Sequence, residues 1–128
     1  MGMTTEHRAA AAQLRKGVAP YCALALIASG PQYGYDLARS LAEAEVVAGS
    51  GSVYPLLARL QSEGLVTAQW HDPPPGGGGL PRKYYALTDA GRAALWDFQR
   101  QWTRLAAGVD RLLLLAAGIS GGAPNGRA

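Results

Sequence analysis

Apolar residues recur at intervals of three and four in four segments of the chain, a spacing typical of helices that bury one face. In the first segment, residues 14–28, apolar residues lie on two faces, so we expect a helix buried on two sides with Pro20 in its first turn. The segment YDLARSLAEA predicts a second, short helix. Residues 1–12 and 119–128 lack this period, and we expect a disordered arm and a disordered tail there.

The segment SVYPLLARLQSEG predicts a third helix, with Ser52 as its N-cap and Pro55 at its third position. Its inward stripe consists of Val53, Leu56, Leu57 and Leu60. The opposite face presents hydrogen-bonding and aromatic side chains, namely Ser52, Tyr54, Arg59 and Gln61. A solvated helix face has the same pattern, so the pattern alone does not decide what this surface does.

Two short segments that follow, residues 65–70 and 83–88, are rich in β-branched and aromatic residues and partly alternate. We expect them to pair as a hairpin. The intervening HDPPPGGGGLPR has the composition of either a linker or a hairpin tip, and we favour the tip because neither side is long enough for a separate domain. It is not a phosphate-binding loop, because no Gly-Lys-Ser/Thr follows the glycines.

Thr88 is a predicted cap for a long final helix, residues 89–118. Apolar residues repeat along this helix as a heptad seam formed by Leu95, Phe98, Trp102, Leu105, Val109 and Leu112. Such a helix is about 43 Å long, more than so small a domain covers by itself. We therefore expect a homodimer through this seam; the alternative is a seam against the first helix of the same chain, and we expect both contacts.

Composition limits the class of protein. The chain has 128 residues, 48% of them apolar, which is enough for one small core. Its sole cysteine, Cys22, excludes an internal disulfide and a Cys-based zinc site, and two histidines far apart do not suggest a metal pair, so we expect no metal and no cofactor. Without a signal sequence or a run of about 18 apolar residues, the expected location is the cytoplasm.

The charge pattern permits a nucleic-acid partner without requiring one. The net charge is +3, but residues 21–64 are acidic on balance and the positive charge lies in the flanking segments. An acidic centre also suits a protein-interaction adaptor. Enzymatic activity is disfavoured, because Cys22 lies in an apolar helix beside no candidate base.

The order of elements, three helices followed by a two-stranded hairpin, is that of a winged helix-turn-helix. The sequence thus predicts a mainly helical protein with a small β-hairpin: a DNA-binding domain at residues 13–88 and a C-terminal dimerisation helix at 89–118. A short third helix that docks its apolar stripe on two others leaves its N-terminal end and outer face free to enter a DNA major groove, about 12 Å wide.

Four motifs also resemble one known family in order and spacing, and they span most of residues 14–95. They are LRKG, YGYDLARSL, GSVYPLLARLQSEGLV and PRKYYALTDAGRAAL. The family is that of the PadR-type transcriptional regulators, and the single long C-terminal helix is similar to its shorter branch, whose members dimerise through that helix. Two departures are a longer hairpin tip and Ser52 where threonine is common.

The resemblance implies a dimer that binds an inverted-repeat operator, usually represses a nearby gene and dissociates when a small molecule binds. The candidate DNA-binding residues are Ser52, Tyr54, Pro55, Arg59, Tyr33, Tyr35, Arg82, Lys83, Arg15 and Lys16. The cations among them are candidates for neutralising phosphates, and the tyrosines for donating hydroxyls to phosphates. A core aromatic is an equally good interpretation of Tyr35. Since Tyr84 and Tyr85 alternate, only one of them is expected at the surface.

Two tryptophans on the final helix, Trp96 and Trp102, are candidates for stacking a planar aromatic effector beside the dimer axis. Because Trp102 lies on the seam, plain packing also explains it. The function predicted from the sequence is a DNA-binding transcriptional regulator, with a protein-interaction adaptor as the alternative.

Overall fold

The computed structural model describes residues 5–73 and 75–120. Its elements in chain order are α1 (Thr5–Ile27), β1 (Gln32–Tyr33), α2 (Gly34–Glu43), α3 (Val53–Ser62), β2 (Val66–His71), β3 (Arg82–Leu87) and α4 (Asp89–Ser120). The chain divides into two compact units, one ending at Leu95 and one beginning at Trp96. The predicted class, mainly helical with a small β element, is confirmed.

Helix α1 begins earlier than the apolar pattern indicates. It starts at Thr5, so the described part of the predicted disordered arm is helical, because its run of alanines favours helix without an apolar stripe. Pro20 lies inside α1 rather than in its first turn. Proline has no N–H to donate to the carbonyl of Lys16 one turn earlier, so α1 continues with one hydrogen bond fewer.

Burial on α1 is narrower than the two faces predicted. Ala23, Leu24 and Ile27 are buried, whereas Leu14 is 73% exposed and Ala25 is also exposed. The expected burial of Leu14 and Ala25 is therefore wrong. The core lies against the C-terminal half of the helix.

The core of the first unit lies where α1, α2, α3 and the sheet meet. Its fully buried side chains come from all three helices and from β2: Leu24, Ile27, Leu37, Leu41, Val53, Leu57, Leu60 and Val66. The predicted stripe of α3 is confirmed, with Leu56 partly buried against this core. Burial of each large apolar side chain contributes about 1.5–3 kcal/mol, so this cluster fixes the orientation of α3.

The sheet has three strands, one more than the predicted hairpin. Strands β2 and β3 pair antiparallel as expected, and β1 adds to the other edge of β3, giving the order β1-β3-β2. In this register Gln32 lies opposite Tyr85 and Tyr33 opposite Tyr84. A two-residue strand is too short to show an alternating period, so only the folded chain reveals it.

Helices α2 and α3 end in the same hydrogen-bonded motif with different residues. The N–H of Val46 donates to the carbonyl of Leu41 (3.3 Å), and the N–H of Leu65 donates to the carbonyl of Leu60 (3.0 Å). This motif needs a residue with positive φ, supplied by Gly64 (φ 78°) after α3 and by Glu45 (φ 62°) after α2. Glu45 therefore adopts a left-handed backbone conformation that glycine adopts at lower energetic cost.

The first turn of α4 is attached to the loop between α3 and β2. The N–H of Gly91 donates to Thr88 Oγ1 (3.0 Å), which confirms the predicted cap, and the same hydroxyl donates to the carbonyl of Gly64 (2.7 Å). The N–H of Thr88 donates to the carbonyl of Leu65 (3.1 Å). The first compact unit extends to Leu95 and so includes the first turns of α4.

Candidate nucleic-acid interface

The outer face of α3 is free in the first unit. With Val53, Leu57 and Leu60 buried, Tyr54 is 47% exposed and Pro55 is also exposed. Arg59 is exposed too, and its Nε lies 3.3 Å from Glu63 Oε2. An exposed pair of this kind contributes less than about 1 kcal/mol, so the guanidinium can exchange Glu63 for another anion.

Ser52 does not cap α3, contrary to the prediction. It belongs to a short 3₁₀ turn (Ser50–Ser52) and has φ −75° and ψ −10°, whereas a capping residue has extended backbone. Its Oγ donates to the carbonyl of Gly49 (2.7 Å). The first N–H groups of α3 thus receive no side-chain cap, and Ser52 is exposed beside the first turn of the helix.

Two cations at the loop end of β3 lie over aromatic rings. The guanidinium carbon of Arg82 is 5.0 Å from the ring centre of Tyr33. Lys83 Nζ is 5.6 Å from the ring centre of Trp70 and 5.7 Å from that of Tyr85. Among residues 5–73 and 75–120, neither cation forms an ion pair with an acidic side chain. Their positive charge is therefore available to an external anion.

Strand β1 builds an aromatic cluster beside these cations. The ring of Tyr33 lies 5.9 Å from that of Tyr35 and 5.7 Å from that of Tyr84, and Tyr84 lies 4.6 Å from His71. Tyr35 is 53% exposed, so its interpretation as a core aromatic is wrong. Tyr85 is 5% exposed and Tyr84 only partly buried, as the alternation predicts.

Glycine at position 34 lets α2 begin against β3. A Cβ there would lie 3.1 Å from Tyr85 Cε1 and 3.7 Å from the carbonyl oxygen of Lys83. A larger residue would push the start of α2 away from the sheet. The closeness of Tyr35 to the hairpin depends on this small residue.

The aromatic residues and the cations together line a cleft of about 410 Å³. Five of the predicted contact residues meet there: Tyr33, Tyr35, Tyr54, Arg82 and Lys83. The others lie elsewhere, Ser52, Pro55 and Arg59 on or beside α3 and Arg15 and Lys16 on α1. The fold thus joins the start of α2, the outer face of α3 and the loop end of the hairpin into one surface.

Sequence reasoning missed Trp70 and Ala58, which also line the cleft. Trp70 is predicted only as a strand residue, yet it is 67% exposed at the end of β2. An exposed tryptophan in a strand that packs on a core is a signal of an external contact. Ala58 gives no such signal, because a single exposed alanine on a helix is ordinary.

The described residues offer little to a metal or a covalent reaction. Within 5–73 and 75–120, no group of three or more His, Cys, Asp and Glu side chains is placed to hold a metal ion. Burial raises the pKa of the Cys22 thiol, which keeps it in its unreactive form. No helix in the described part of the chain is long and apolar enough to cross a membrane.

Five of the six predicted seam residues lie in the second unit, whereas Leu95 lies in the first unit and packs against its core. Four of the six seam residues are large apolar side chains between 46% and 63% exposed: Trp102, Leu105, Val109 and Leu112. Phe98 and Trp102 stack with ring centres 5.9 Å apart and planes 20° apart. Trp96, the other candidate for an effector contact, is 57% exposed.

Residues 23–97 match the model of the transcriptional regulator PadR-like family. The structure is similar to a PadR-like transcriptional regulator from Bacillus cereus (TM-score 0.69, 35% identity, 79% of this chain and 96% of that one). It is also similar to a PadR family regulator from Eggerthella lenta (TM-score 0.65, 39% identity, 79% of this chain and 86% of that one).

A third similar structure is Bacillus subtilis PadR in complex with operator DNA (TM-score 0.56, 32% identity). That match covers 64% of this chain and 46% of the other. No curated protein matches the chain.

Proposed function

Because the chain belongs to the PadR-like family of transcriptional regulators, we propose that it binds operator DNA through the outer face of α3 and the loop end of the β2–β3 hairpin. One observation carries this proposal: Tyr54, Arg82 and Lys83 line the same cleft, with both cations free of ion pairs among the described residues. The similarity to a PadR that was solved with operator DNA supports it. The family consists of regulators rather than enzymes.

In this proposal α3 enters the major groove with its N-terminal end and outer face. Tyr54 contacts base edges or phosphates, and Ser52, Pro55 and Arg59 extend the contact along the same helix. Arg59 exchanges its weak pairing with Glu63 for a phosphate.

The remaining contacts go to the DNA backbone. Arg82 and Lys83 neutralise phosphates at the loop end of the hairpin, while Tyr33 and Tyr35 donate hydroxyl hydrogen bonds at the start of α2. Arg15 and Lys16 on α1 add a flanking contact.

We further propose that two copies associate through the α4 seam. The exposed apolar side chains from Trp102 to Leu112 are poor partners for water and repeat at coiled-coil spacing. Two copies related by a twofold axis present two α3 helices, which suits an inverted-repeat operator. In this arrangement residues 13–88 form the DNA-binding domain and residues 89–118 form the dimerisation helix.

The proposal also includes repression of transcription and release of the DNA by an effector. A bound dimer blocks transcription of a nearby gene, and a planar aromatic effector stacked on Trp96 and Trp102 releases the DNA. Support comes from the exposure of Trp96 and from the flat stack of Phe98 on Trp102, which offers a ring face to a ligand.

The test is titration of the full chain with DNA from upstream of its own gene at several salt concentrations. We expect the logarithm of the affinity to fall by about 0.9 per phosphate contact for each tenfold rise in salt. Lys83→Ala weakens binding and reduces this slope by about 1. Tyr54→Ala weakens binding as well.

Arg100→Ala is the matched control for Lys83→Ala. It removes an exposed cation that pairs with Asp97 on α4, so affinity and slope should change little. Unchanged DNA affinity in both Tyr54→Ala and Lys83→Ala would refute the interface. A protein complex that is insensitive to salt, with no DNA binding, would instead identify the chain as an adaptor.

A further inference from the structure

One side chain joins the first turn of α4 to the end of α3. The hydroxyl of Thr88 accepts a hydrogen bond from the Gly91 N–H (3.0 Å) and donates one to the carbonyl of Gly64 (2.7 Å). Gly64 has positive φ (78°) and its N–H donates to the carbonyl of Gln61 (3.0 Å), so it belongs to the turn that ends α3. The same hydroxyl therefore caps α4 and holds the C-terminal end of the helix that we assign to the major groove.

Backbone contacts beside Thr88 leave this attachment little freedom. The N–H of Thr88 donates to the carbonyl of Leu65 (3.1 Å), and the N–H of Leu65 donates to the carbonyl of Leu60 (3.0 Å). Leu60 is fully buried in the core. Gly91 lies so close to the carbonyl oxygen of Leu65 that a Cβ at this position would overlap it. Turning α3 relative to the first turns of α4 therefore breaks several of these contacts together.

The orientation of α3 matters because, in the proposed function, two copies present two α3 helices to the two half-sites of one operator. Helix α4 is continuous from Asp89 to Ser120, so the helix that carries the proposed seam also carries the attachment to α3. Inserting one base pair between the half-sites moves them apart by about 3.4 Å and rotates one against the other by about 35°. A rigid attachment fits one spacing, whereas a loose one accepts several.

We propose that Thr88 determines which operators the dimer accepts: its hydroxyl fixes α3 relative to the start of α4 and so sets the preferred spacing of the half-sites. Thr88 acts through α3 and not by touching DNA, so it is a positioning residue. This role rests on the proposed function, because it requires a dimer that binds an inverted repeat. The attachment itself does not, and it is measurable without DNA.

Hydrogen exchange followed by NMR tests the attachment. Thr88→Val keeps the branched shape of threonine and removes the hydroxyl, so the N–H of Gly91 loses its acceptor and should exchange about tenfold faster, with a smaller increase at Leu65. Thr88→Ser keeps the hydroxyl and should exchange as the wild type does. Thr103→Val is the matched control. The Thr103 hydroxyl donates to the carbonyl of Gln99 within α4 (2.9 Å), so its loss should change neither N–H.

The operator test measures a ratio of affinities and not the affinity alone. Footprinting locates the inverted repeat in the DNA upstream of the chain's own gene, and a second duplex has one base pair inserted between the half-sites. We expect the insertion to weaken binding of the wild type about tenfold and of Thr88→Val only about threefold. Thr88→Ser and Thr103→Val should keep the wild-type ratio. A purely structural role of Thr88 would weaken binding to both duplexes equally.

A second variant separates the attachment from the capping of α4. Aspartate caps helices as well as threonine does, so Thr88→Asp can still accept the Gly91 N–H, but its carboxylate has no proton to donate to the carbonyl of Gly64. We expect this variant to show the same relaxed ratio as Thr88→Val. It keeps the role of Thr88 testable if Thr88→Val is too unstable to assay.

Two results would overturn the role of Thr88 and leave the proposed function standing. One is a wild-type ratio of affinities in both Thr88→Val and Thr88→Asp. The other is unchanged exchange of the Gly91 N–H in Thr88→Val. A wild type that binds neither duplex would refute the proposed function, and the positioning role with it.

Discussion

Gly91 sits where α4 presses on the loop between α3 and β2, and Gly91→Ala tests this packing. A Cβ at position 91 would overlap the carbonyl oxygen of Leu65, lie 3.0 Å from the carbon that bears it and 2.9 Å from Leu87 Cδ1. The carbonyl cannot turn aside freely, because it accepts the hydrogen bond of the Thr88 N–H (3.1 Å). Removing this clash therefore requires the backbone of α4 or of the loop at Leu65 to move.

Overpacking of this kind destabilises a domain by typically 1–3 kcal/mol, and a clash with backbone belongs at the upper end, about 3 kcal/mol. That loss lowers the melting temperature by roughly 10 °C or more in a domain of this size. Circular dichroism during heating measures it, at one protein concentration for all variants because association also shifts the transition.

Gly17→Ala is the matched control, because the same substitution in α1 meets no atom within 4 Å of the added Cβ. Alanine favours helix over glycine by about 1 kcal/mol, so this variant should melt at the same or a higher temperature. If Gly91→Ala unfolds at the wild-type temperature while Gly17→Ala behaves as expected, the close packing of α4 on Leu65 is refuted.

Three further predictions follow from the same structure. Both Glu45 and Gly64 have positive φ, so Glu45→Gly should raise the free energy of unfolding by about 1 kcal/mol and Gly64→Ala should lower it by a similar amount. Equal melting temperatures of the wild type and these two variants would contradict this. Since burial raises the pKa of the Cys22 thiol, iodoacetamide at pH 8 should alkylate it more slowly than it alkylates glutathione, and unfolding should abolish the difference, as mass spectrometry can show. Val109→Asp should convert a dimer to a monomer in light scattering, because it places a charge in the α4 seam; an unchanged mass would reject that seam.

Periodicity predicted those parts of the fold in which local sequence and burial agree. The stripe from Val53 to Leu60 repeats at helical spacing and is buried against the core, so α3 follows from the sequence alone. Thr88 was recognisable as a cap because it precedes a long apolar period. The predicted start of α1 was wrong, because the helix begins in an alanine-rich segment without an apolar stripe. Pro20 therefore lies within α1 and not in its first turn.

The candidate site was predictable residue by residue but not as a surface. Exposed tyrosines and cations could be named from their positions on helices and strands. Their meeting in one cleft depends on β1, whose two residues show no period, and on a glycine at position 34 that lets α2 approach β3. Trp70 was missed for the same reason, since its neighbours in the cleft come from distant parts of the sequence.

The sequence by itself determined the order of the four main helices and of the β2–β3 hairpin, the buried stripe of α3 and the family, because these depend on residues close together in the chain. Only the tertiary structure decided which polar and aromatic side chains share a surface. Pairing of β1 with β3 brings Tyr33 and Tyr84 together from distant parts of the sequence, and no local pattern records such a contact.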